Sequence, residues 1–257
     1  MALFTDGPPS SMEDLAAQDA QLLNVSNVEG IDVTQKLALA WDELGLELYT
    51  LLNLLGTAER LFWQPPRPNL GAIVVTPPLK LWHTYRALEM VYEDAYNSQL
   101  NDRYAGKRDQ FHERANWAED KLREIGMGIA AEPMAKAAMP SVTAAPALTA
   151  PLADGTYYVT VAWVNGLGEE GAAAEVADVS TTDSTFAVQT GAAPQSAAGW
   201  NVYAGSDPNG LTLQNGSLLR VGQTWLQPDA LTAGGPAPGN GQAPSFLKVV
   251  PRVIQRG

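Results

Sequence analysis

Hydrophobic and polar positions recur with two different periods along the chain, and the change falls near residue 130. Before it, apolar residues return every three or four positions, the spacing of amphipathic helices. After it, short runs alternate apolar and polar residues between turns rich in glycine, asparagine and aspartate, as in antiparallel strands. We therefore predict a multidomain α+β protein with an N-terminal helical bundle and a C-terminal antiparallel β-sandwich.

Composition places the expected boundaries. The segment between the two patterns is rich in alanine and proline, and its prolines disfavour a continuous helix. We predict a helical domain at 1–130, a semi-rigid linker at 131–151, a β-sandwich at 152–238 and an extended C-terminal arm at 239–257.

Capping signals mark the expected helix starts. Ser10-Ser11-Met12-Glu13 has capping-box form and predicts a helix over residues 12–23. The related arrangement Asp32-Val33-Thr34-Gln35 precedes a mostly buried helix that we expect to end before Gly56.

The longest helical pattern starts at Pro77-Pro78 and carries an apolar stripe from Leu81 to Ile125. A single helix over 79–125 would be about 70 Å long, which is much longer than the diameter of a domain of this size. We predict either a break near Ala105-Gly106 or support from neighbouring subunits. Four apolar residues lie off the stripe, and we predict them as subunit-interface residues because a helix that is apolar on several sides has several partners: Trp82, Met90, Val91 and Trp117.

The segment Gly166-Leu167-Gly168-Glu169-Glu170-Gly171 matches the G-x-G-x-x-G pattern of dinucleotide-binding loops. Such a loop needs a parallel strand before it and a helix after it. Here the preceding strand alternates, the following residues are β-branched, and two carboxylates lie where phosphate would bind. We interpret the loop as a hairpin turn.

Charge and composition exclude several function classes. The net charge of −12 opposes binding to nucleic-acid phosphates. There is no cysteine, hence no disulfide and no thiolate metal site. We expect a soluble protein without a secretory signal. His83 and His112 are predicted on exposed helix faces, and we predict no catalytic, cofactor-binding or metal-binding residues.

The last fifteen residues, 243–257, combine strand formers with basic side chains at the end of an acidic protein. Either they form a frayed tail, or they add a strand to a partner's sheet. The second interpretation is favoured, because exposed β-forming tails promote aggregation unless they bind something. The predicted partner-binding residues are Phe246, Leu247, Lys248, Val250, Arg252, Ile254 and Arg256.

Three stretches of the second half carry a resemblance: the pattern Y-x-V-x-V-x-W-x-N-G-x-G-E over 157–169, AAGWNVYAG at 197–205, and TWLQPDAL at 224–231. They resemble the fibronectin type III or immunoglobulin-like modules appended to phage and bacterial surface proteins. The resemblance implies an Ig-like sandwich and no particular function.

Residues 75–122, VTPPLKLWHTYRALEMVYEDAYNSQLNDRYAGKRDQFHERANWAEDKL, resemble the head–tail adaptor (neck or connector) proteins of tailed bacteriophages. The resemblance implies a non-enzymatic virion protein of the neck, assembled in the host cytoplasm. It implies a homo-oligomeric, usually dodecameric, ring under the portal protein, contacting tail or tail-completion proteins and lining a channel through which DNA passes without specific binding.

The resemblance also implies docking to the portal through a C-terminal arm. The alternative function is a surface-binding Ig-like module that recognises a glycan or host receptor, with Tyr158 and Tyr203 as candidate contacts, anchored to a virion by the helices.

Overall fold

The chain divides into two compact units, each built from two stretches of sequence. The helical unit comprises Gly7–Ile129 and Pro244–Gly257, and the β unit comprises Met1–Asp6 and Ala130–Ala243. The computed structural model describes residues 2–56, 69–99, 102–147, 149–239 and 241–248.

Much of the segment expected as a linker belongs to the β unit. Met134 and Ala137 are buried in its core, and residues 141–145 form a strand. Pro140 and Pro146 flank that strand instead of interrupting it, so the prolines limit its length without preventing it.

The helical unit has five α-helices among its described residues: α1 (Met12–Gln18), α2 (Leu22–Glu29), α3 (Val33–Gly56), α4 (Pro77–Gln99) and α5 (Ala105–Ile125). Helix α4 is central, with α1, α2, α3 and α5 all packed against it. This arrangement explains why α4 is apolar on several sides.

Local side-chain hydrogen bonds explain the starts of α1 and α3 and the break between α1 and α2. The capping box is present but shifted by one residue, with Ser11 as the N-cap and Asp14 as its partner. The predicted helix over 12–23 is divided in two, because the Asp19 side chain accepts a hydrogen bond from the Gln21 amide at 3.1 Å, just before α2. Asp32 caps α3 as predicted, accepting from the amides of Thr34 and Gln35.

The long helical pattern breaks, and α4 and α5 pack antiparallel. Helix α4 ends at Gln99 and α5 begins at Ala105. The ring of Tyr92 contacts those of Tyr104 and Phe111, with centroids 6.2 and 5.6 Å apart. The apolar stripe is therefore the contact between two shorter helices, which is how one pattern of this length fits into a small unit.

The helical unit also contains a two-stranded antiparallel sheet formed by β1 (Met127–Ile129) and β9 (Ser245–Leu247). The other edge of β1 meets the segment after a 3₁₀ turn at Leu70–Ala72, through a bridge between Ile73 and Ile129. In sequence, β1 precedes and β9 follows the long stretch of chain that forms most of the β unit.

The β unit contains two antiparallel sheets in its described residues. The strands are β2 (Ser141–Ala145), β3 (Gly155–Asn165), β4 (Ala177–Thr181), β5 (Thr185–Gln189), β6 (Ala197–Gly205), β7 (Thr212–Leu213) and β8 (Trp225–Leu226). One sheet has the order β4-β3-β6-β7 and the other β2-β5-β8.

One hydrophobic core draws residues from both sheets. Alternate residues of β3 and β6 contribute to this core, with Trp163 opposite Trp200 and Val161 opposite Val202. These side chains are buried together with Phe186 of β5 and Trp225 of β8. The other side of β3 is buried as well from Val159 to Asn165. Among the described residues, no helix combines the length and the apolar character needed to cross a membrane.

Candidate interaction surfaces

The C-terminal segment begins as a strand held by its own chain. In β9, Phe246 lies opposite Gly128 and Leu247 opposite Met127. Phe246 is 53% exposed, Leu247 is half-buried and Lys248 is exposed. The remaining predicted partner-binding residues lie outside the described part of the chain: Val250, Arg252, Ile254 and Arg256.

Two glycines of the helical unit make room for β9. A Cβ on Gly128 would lie 2.7 Å from Thr76 Cγ2 and 2.8 Å from Pro244 Cβ. Gly126 has a φ of +108° and lies against the Leu247 carbonyl. Any larger side chain at position 128 would displace β9 or the Thr76 segment.

In the β unit, Gln242 fixes the chain shortly before β9. Its side chain is 1% exposed, and its Oε1 accepts from the Met134 amide at 2.7 Å. Its Nε2 donates to the Glu132 carbonyl at 2.5 Å. Because both ends of this buried amide are satisfied, it anchors the chain at the end of the β unit.

The four residues predicted as a subunit interface occupy different environments. Trp82 and Val91 are buried at 4% and 0% exposure, inside the helical unit. Met90 is half-buried, and Trp117 on α5 is 51% exposed. The off-stripe position of Trp82 and Val91 is thus accounted for within the chain, and only Met90 and Trp117 offer surface to another molecule.

Sequence reasoning missed a second apolar surface, on α3. Leu39, Leu46 and Tyr49 are 44%, 71% and 57% exposed and follow one another at helical spacing. We call them the α3 stripe. The opposite side of α3 buries Leu37, Leu44, Leu48 and Leu51. The signal in the sequence is that α3 is apolar on more than one side, a pattern that predicts a mostly buried helix.

The expectation that both histidines lie on exposed helix faces is wrong for His83. His83 is fully buried, with Nδ1 2.5 Å from Ser10 Oγ and Nε2 3.0 Å from the Leu37 carbonyl oxygen. A carbonyl can only accept, so Nε2 carries the proton and Nδ1 accepts from Ser10. Burial lowers the pKa of His83 to about 4, so the ring is neutral near pH 7.

His112 lies on the exposed side of α5, where its Nδ1 is 2.8 Å from Glu89 Oε1. Glu89 also pairs with Arg86, which in turn forms a bidentate ion pair with Glu43 of α3. This chain of charges connects α3, α4 and α5 and accounts for the burial of a carboxylate on α4.

Asp19 is also a buried carboxylate of the helical unit, at 5% exposure. Its oxygens accept from the Tyr92 hydroxyl at 2.5 Å and from Lys107 Nζ at 3.2 Å. Burial opposes its ionisation, but the hydrogen bonds from Tyr92, the Gln21 amide and Lys107 hold the pKa of Asp19 below its usual value. The arrangement joins α1, α4 and α5.

An open groove of about 460 Å³ lies between the start of α3 and the end of α4, with Glu29, Asp32 and Asp94 in its wall. Glu29 accepts from Ser98 and Tyr104, Asp32 caps α3, and Asp94 pairs with Lys36. These carboxylates therefore already have partners that stabilise the fold. Across the described ranges, no three His, Asp or Glu side chains are grouped as metal ligands.

The glycine-rich loop is a hairpin turn. The Asn165 side-chain oxygen accepts from the amides of Leu167 and Glu169, and the chain returns antiparallel through a bridge between Val164 and Glu170. Glu170 accepts from the Tyr203 hydroxyl at 2.5 Å. The glutamates therefore stabilise the turn and the adjacent strand β6.

No protein-family model matches the chain, and no curated protein matches it. The surfaces described above therefore carry the functional argument.

Proposed function

We propose that this chain is a structural, non-enzymatic protein of a tailed-bacteriophage virion: a head–tail adaptor of the neck, assembled in the host cytoplasm. Copies form a ring, dodecameric as in the resembled family, under the portal protein. The α3 stripe is the observation that carries this proposal, because it is apolar surface that one copy leaves exposed.

A ring needs two different patches on each copy, since a heterologous contact repeated by rotation closes a cycle. The α3 stripe is one patch. The exposed face of α5 around Trp117, with Met90 as a further contact, is the second. Each large apolar side chain buried between copies contributes about 1.5–3 kcal/mol, so three residues of the stripe give a useful share of the association energy.

The charge distribution suits a channel for DNA. The β unit carries ten carboxylates against two basic side chains, a net charge of −8. Carboxylates that line a lumen repel the phosphate backbone, so the genome passes without specific binding.

The C-terminal arm supplies the contact with the portal. Residues 249–257 continue from β9 and contain two arginines and no acidic residue. Val250 and Ile254 would pack on the partner, and Arg252 and Arg256 would pair with its carboxylates. Tail or tail-completion proteins would contact other surfaces of the ring.

We further propose that the β unit is an Ig-like, fibronectin type III-like sandwich. Two features support this: its two antiparallel sheets contribute to one core, and two of the strands with resembling motifs, β3 and β6, are neighbours. The alternative function, recognition of a glycan or host surface, has weaker support. Tyr203 is 2% exposed and bonded to Glu170, so of the two candidate tyrosines only the half-buried Tyr158 offers surface.

The ring is tested by Leu46→Glu, which places a charge in the middle of the α3 stripe. We expect the wild-type protein to form large assemblies with portal protein, and the variant to remain small, when molar mass is measured by light scattering after gel filtration. Leu167→Glu is the matched control, because Leu167 is 60% exposed in a turn of the β unit. Assemblies of equal mass from Leu46→Glu and wild type would refute the proposed interface.

A further inference from the structure

The outward side of α5 combines an exposed tryptophan with carboxylates. Trp117 is 51% exposed, and Glu113, Asp120 and Glu124 are exposed one turn or two turns away on the same side. We call these four residues the α5 face. Neither Glu113 nor Asp120 forms an ion pair with a residue in the described part of the chain. An exposed apolar centre with acidic neighbours suits a ligand that is apolar and basic.

The described chain ends beside this face. Strand β9 runs along β1, which directly follows α5, and Lys248 Cγ lies 3.2 Å from where a Cβ on Gly126 would be. Lys248 is also close enough to Glu124 to contribute, after the hydrogen bond from Lys121, to the lowered pKa of Glu124. Lys248, the last described residue, therefore lies at the C-terminal end of α5.

The sequence of residues 249–257 complements the α5 face. Val249, Val250, Val253 and Ile254 are apolar, and Arg252 and Arg256 are basic, in a segment without a carboxylate side chain. Nine extended residues reach about 30 Å. Along the helix, Glu113 is only about 16 Å from Glu124 at 1.5 Å per residue, so the whole face is within reach.

We propose that, in the unassembled protein, residues 249–257 bind the α5 face of their own chain. Their apolar side chains cover Trp117, and the two arginines pair with Glu113 and Asp120. The short connection to Lys248 gives this contact an effective concentration in the millimolar range, which favours the segment's own chain over a second copy. Charged pairs at an exposed face are individually weak, so a partner with a better site can take the segment.

This contact goes beyond adaptor function, because it defines where the segment lies before any partner binds. It also covers the surface that the ring would use, so removal of the segment by the portal would expose Trp117 to a neighbouring copy. Its test needs neither portal nor ring, so its failure and the failure of the proposed function are distinguishable.

Limited trypsin digestion of the full chain, followed by intact mass, measures protection of the bonds after Arg252 and Arg256. We expect the variant Glu113→Gln/Trp117→Ala/Asp120→Asn to be cut there at least about fivefold faster than wild type. A contact worth about 1 kcal/mol lowers the population of the released, cleavable form by about this factor, and the cleavage rate falls with it. The matched control is Asp42→Asn/Leu46→Ala/Glu47→Gln on α3, which should be cut at the wild-type rate. Equal cleavage in all three proteins would overturn the proposal.

A crosslink identifies which copy supplies the segment. The chain contains no cysteine, so Asp120→Cys with Val253→Cys creates a single possible pair within one chain. In dilute solution under mild oxidation we expect a disulfide within one chain, detected as a crosslinked peptide at monomer mass. Leu46→Cys with Val253→Cys is the control and should crosslink much more slowly. A disulfide-linked dimer as the main product, or equal rates for both pairs, would contradict binding within one chain.

Discussion

The imidazole of His83 is held by two hydrogen bonds that fix its tautomer. Ser10 and the Leu37 carbonyl lie 73 and 46 positions away in sequence. Asp19 likewise depends on Tyr92 and Lys107, from two later helices. At the scale of single residues, the polar groups inside the helical unit thus connect α1, α3, α4 and α5, because each buried group needs partners that its own helix lacks.

The pH dependence of the free energy of unfolding tests whether His83 is buried as a neutral imidazole. Its folded pKa of about 4 lies below the ordinary value of 6.5, so between these values the unfolded chain binds the proton more readily. Stability should therefore fall as the pH is lowered from 6.5 towards 4 and should not depend on this group above pH 6.5. We expect a loss of about 2 kcal/mol at pH 5 relative to pH 7, measured by urea unfolding with tryptophan fluorescence.

His83→Gln should remove most of this difference between pH 5 and pH 7. Leu167→Gln is the control, because Leu167 is exposed in a turn of the β unit, and it should retain the wild-type difference. The same pH dependence in His83→Gln as in wild type would show that other groups cause it.

At the scale of elements, short-range signals placed most helices and strands. The Asp32 cap, the proline start of α4 and the alternation of β3 and β6 each depend on residues within a few positions. The partner of each element was not predictable in the same way. Strand β9 pairs with β1, which lies more than a hundred residues earlier, and no local pattern in either strand specifies the other.

Gly128→Ala tests the packing of β9 on β1. The added Cβ would lie 2.7 Å from Thr76 Cγ2, so we expect a loss of about 1–3 kcal/mol, the usual cost of overpacking. Amide hydrogen exchange at Met127 and Leu247 should become faster. The control is Gly106→Ala in α5, where the added Cβ would meet nothing within 4 Å. This substitution should stabilise the protein by about 0.5–1 kcal/mol, because alanine reduces the conformational entropy of the unfolded chain. Equal stability of the two variants would show that β9 is not held where the structure places it.

At the scale of the whole molecule, the two units are interleaved along the chain. Residues 1–6 belong to the β unit and residues 244–257 to the helical unit. The C-terminal segment thus belongs to the helical unit, although the β unit precedes it in sequence. A simple order of helical domain, linker, sandwich and arm does not describe this arrangement.

Two truncations separate the strand from the arm. A chain that ends at Lys248 keeps β9 but loses the proposed contact of residues 249–257 with the α5 face. We expect its melting temperature to fall by no more than about 2–4 °C and its attachment to portal protein to be lost. A chain that ends at Gln242 also loses β9, and we expect its melting temperature to fall by several degrees, because a change of 1 kcal/mol shifts it by about 2–4 °C at this size. Differential scanning calorimetry measures the melting temperatures, and a pull-down with portal protein measures attachment. Undiminished portal attachment of the chain ending at Lys248 would refute the arm assignment.

Local patterns were enough to predict the α+β class, the caps of α1 and α3, the turn in the glycine loop and the shared core face of β3 and β6, because each depends on neighbours within one turn or one hairpin. Packing between distant parts of the chain buries His83, Trp82 and Val91, leaves the α3 stripe exposed and pairs β9 with β1. Burial of a helical side depends on which other elements pack against it. That choice is made by the whole chain, so an apolar residue on a helix has the same local signal whether it is covered or exposed.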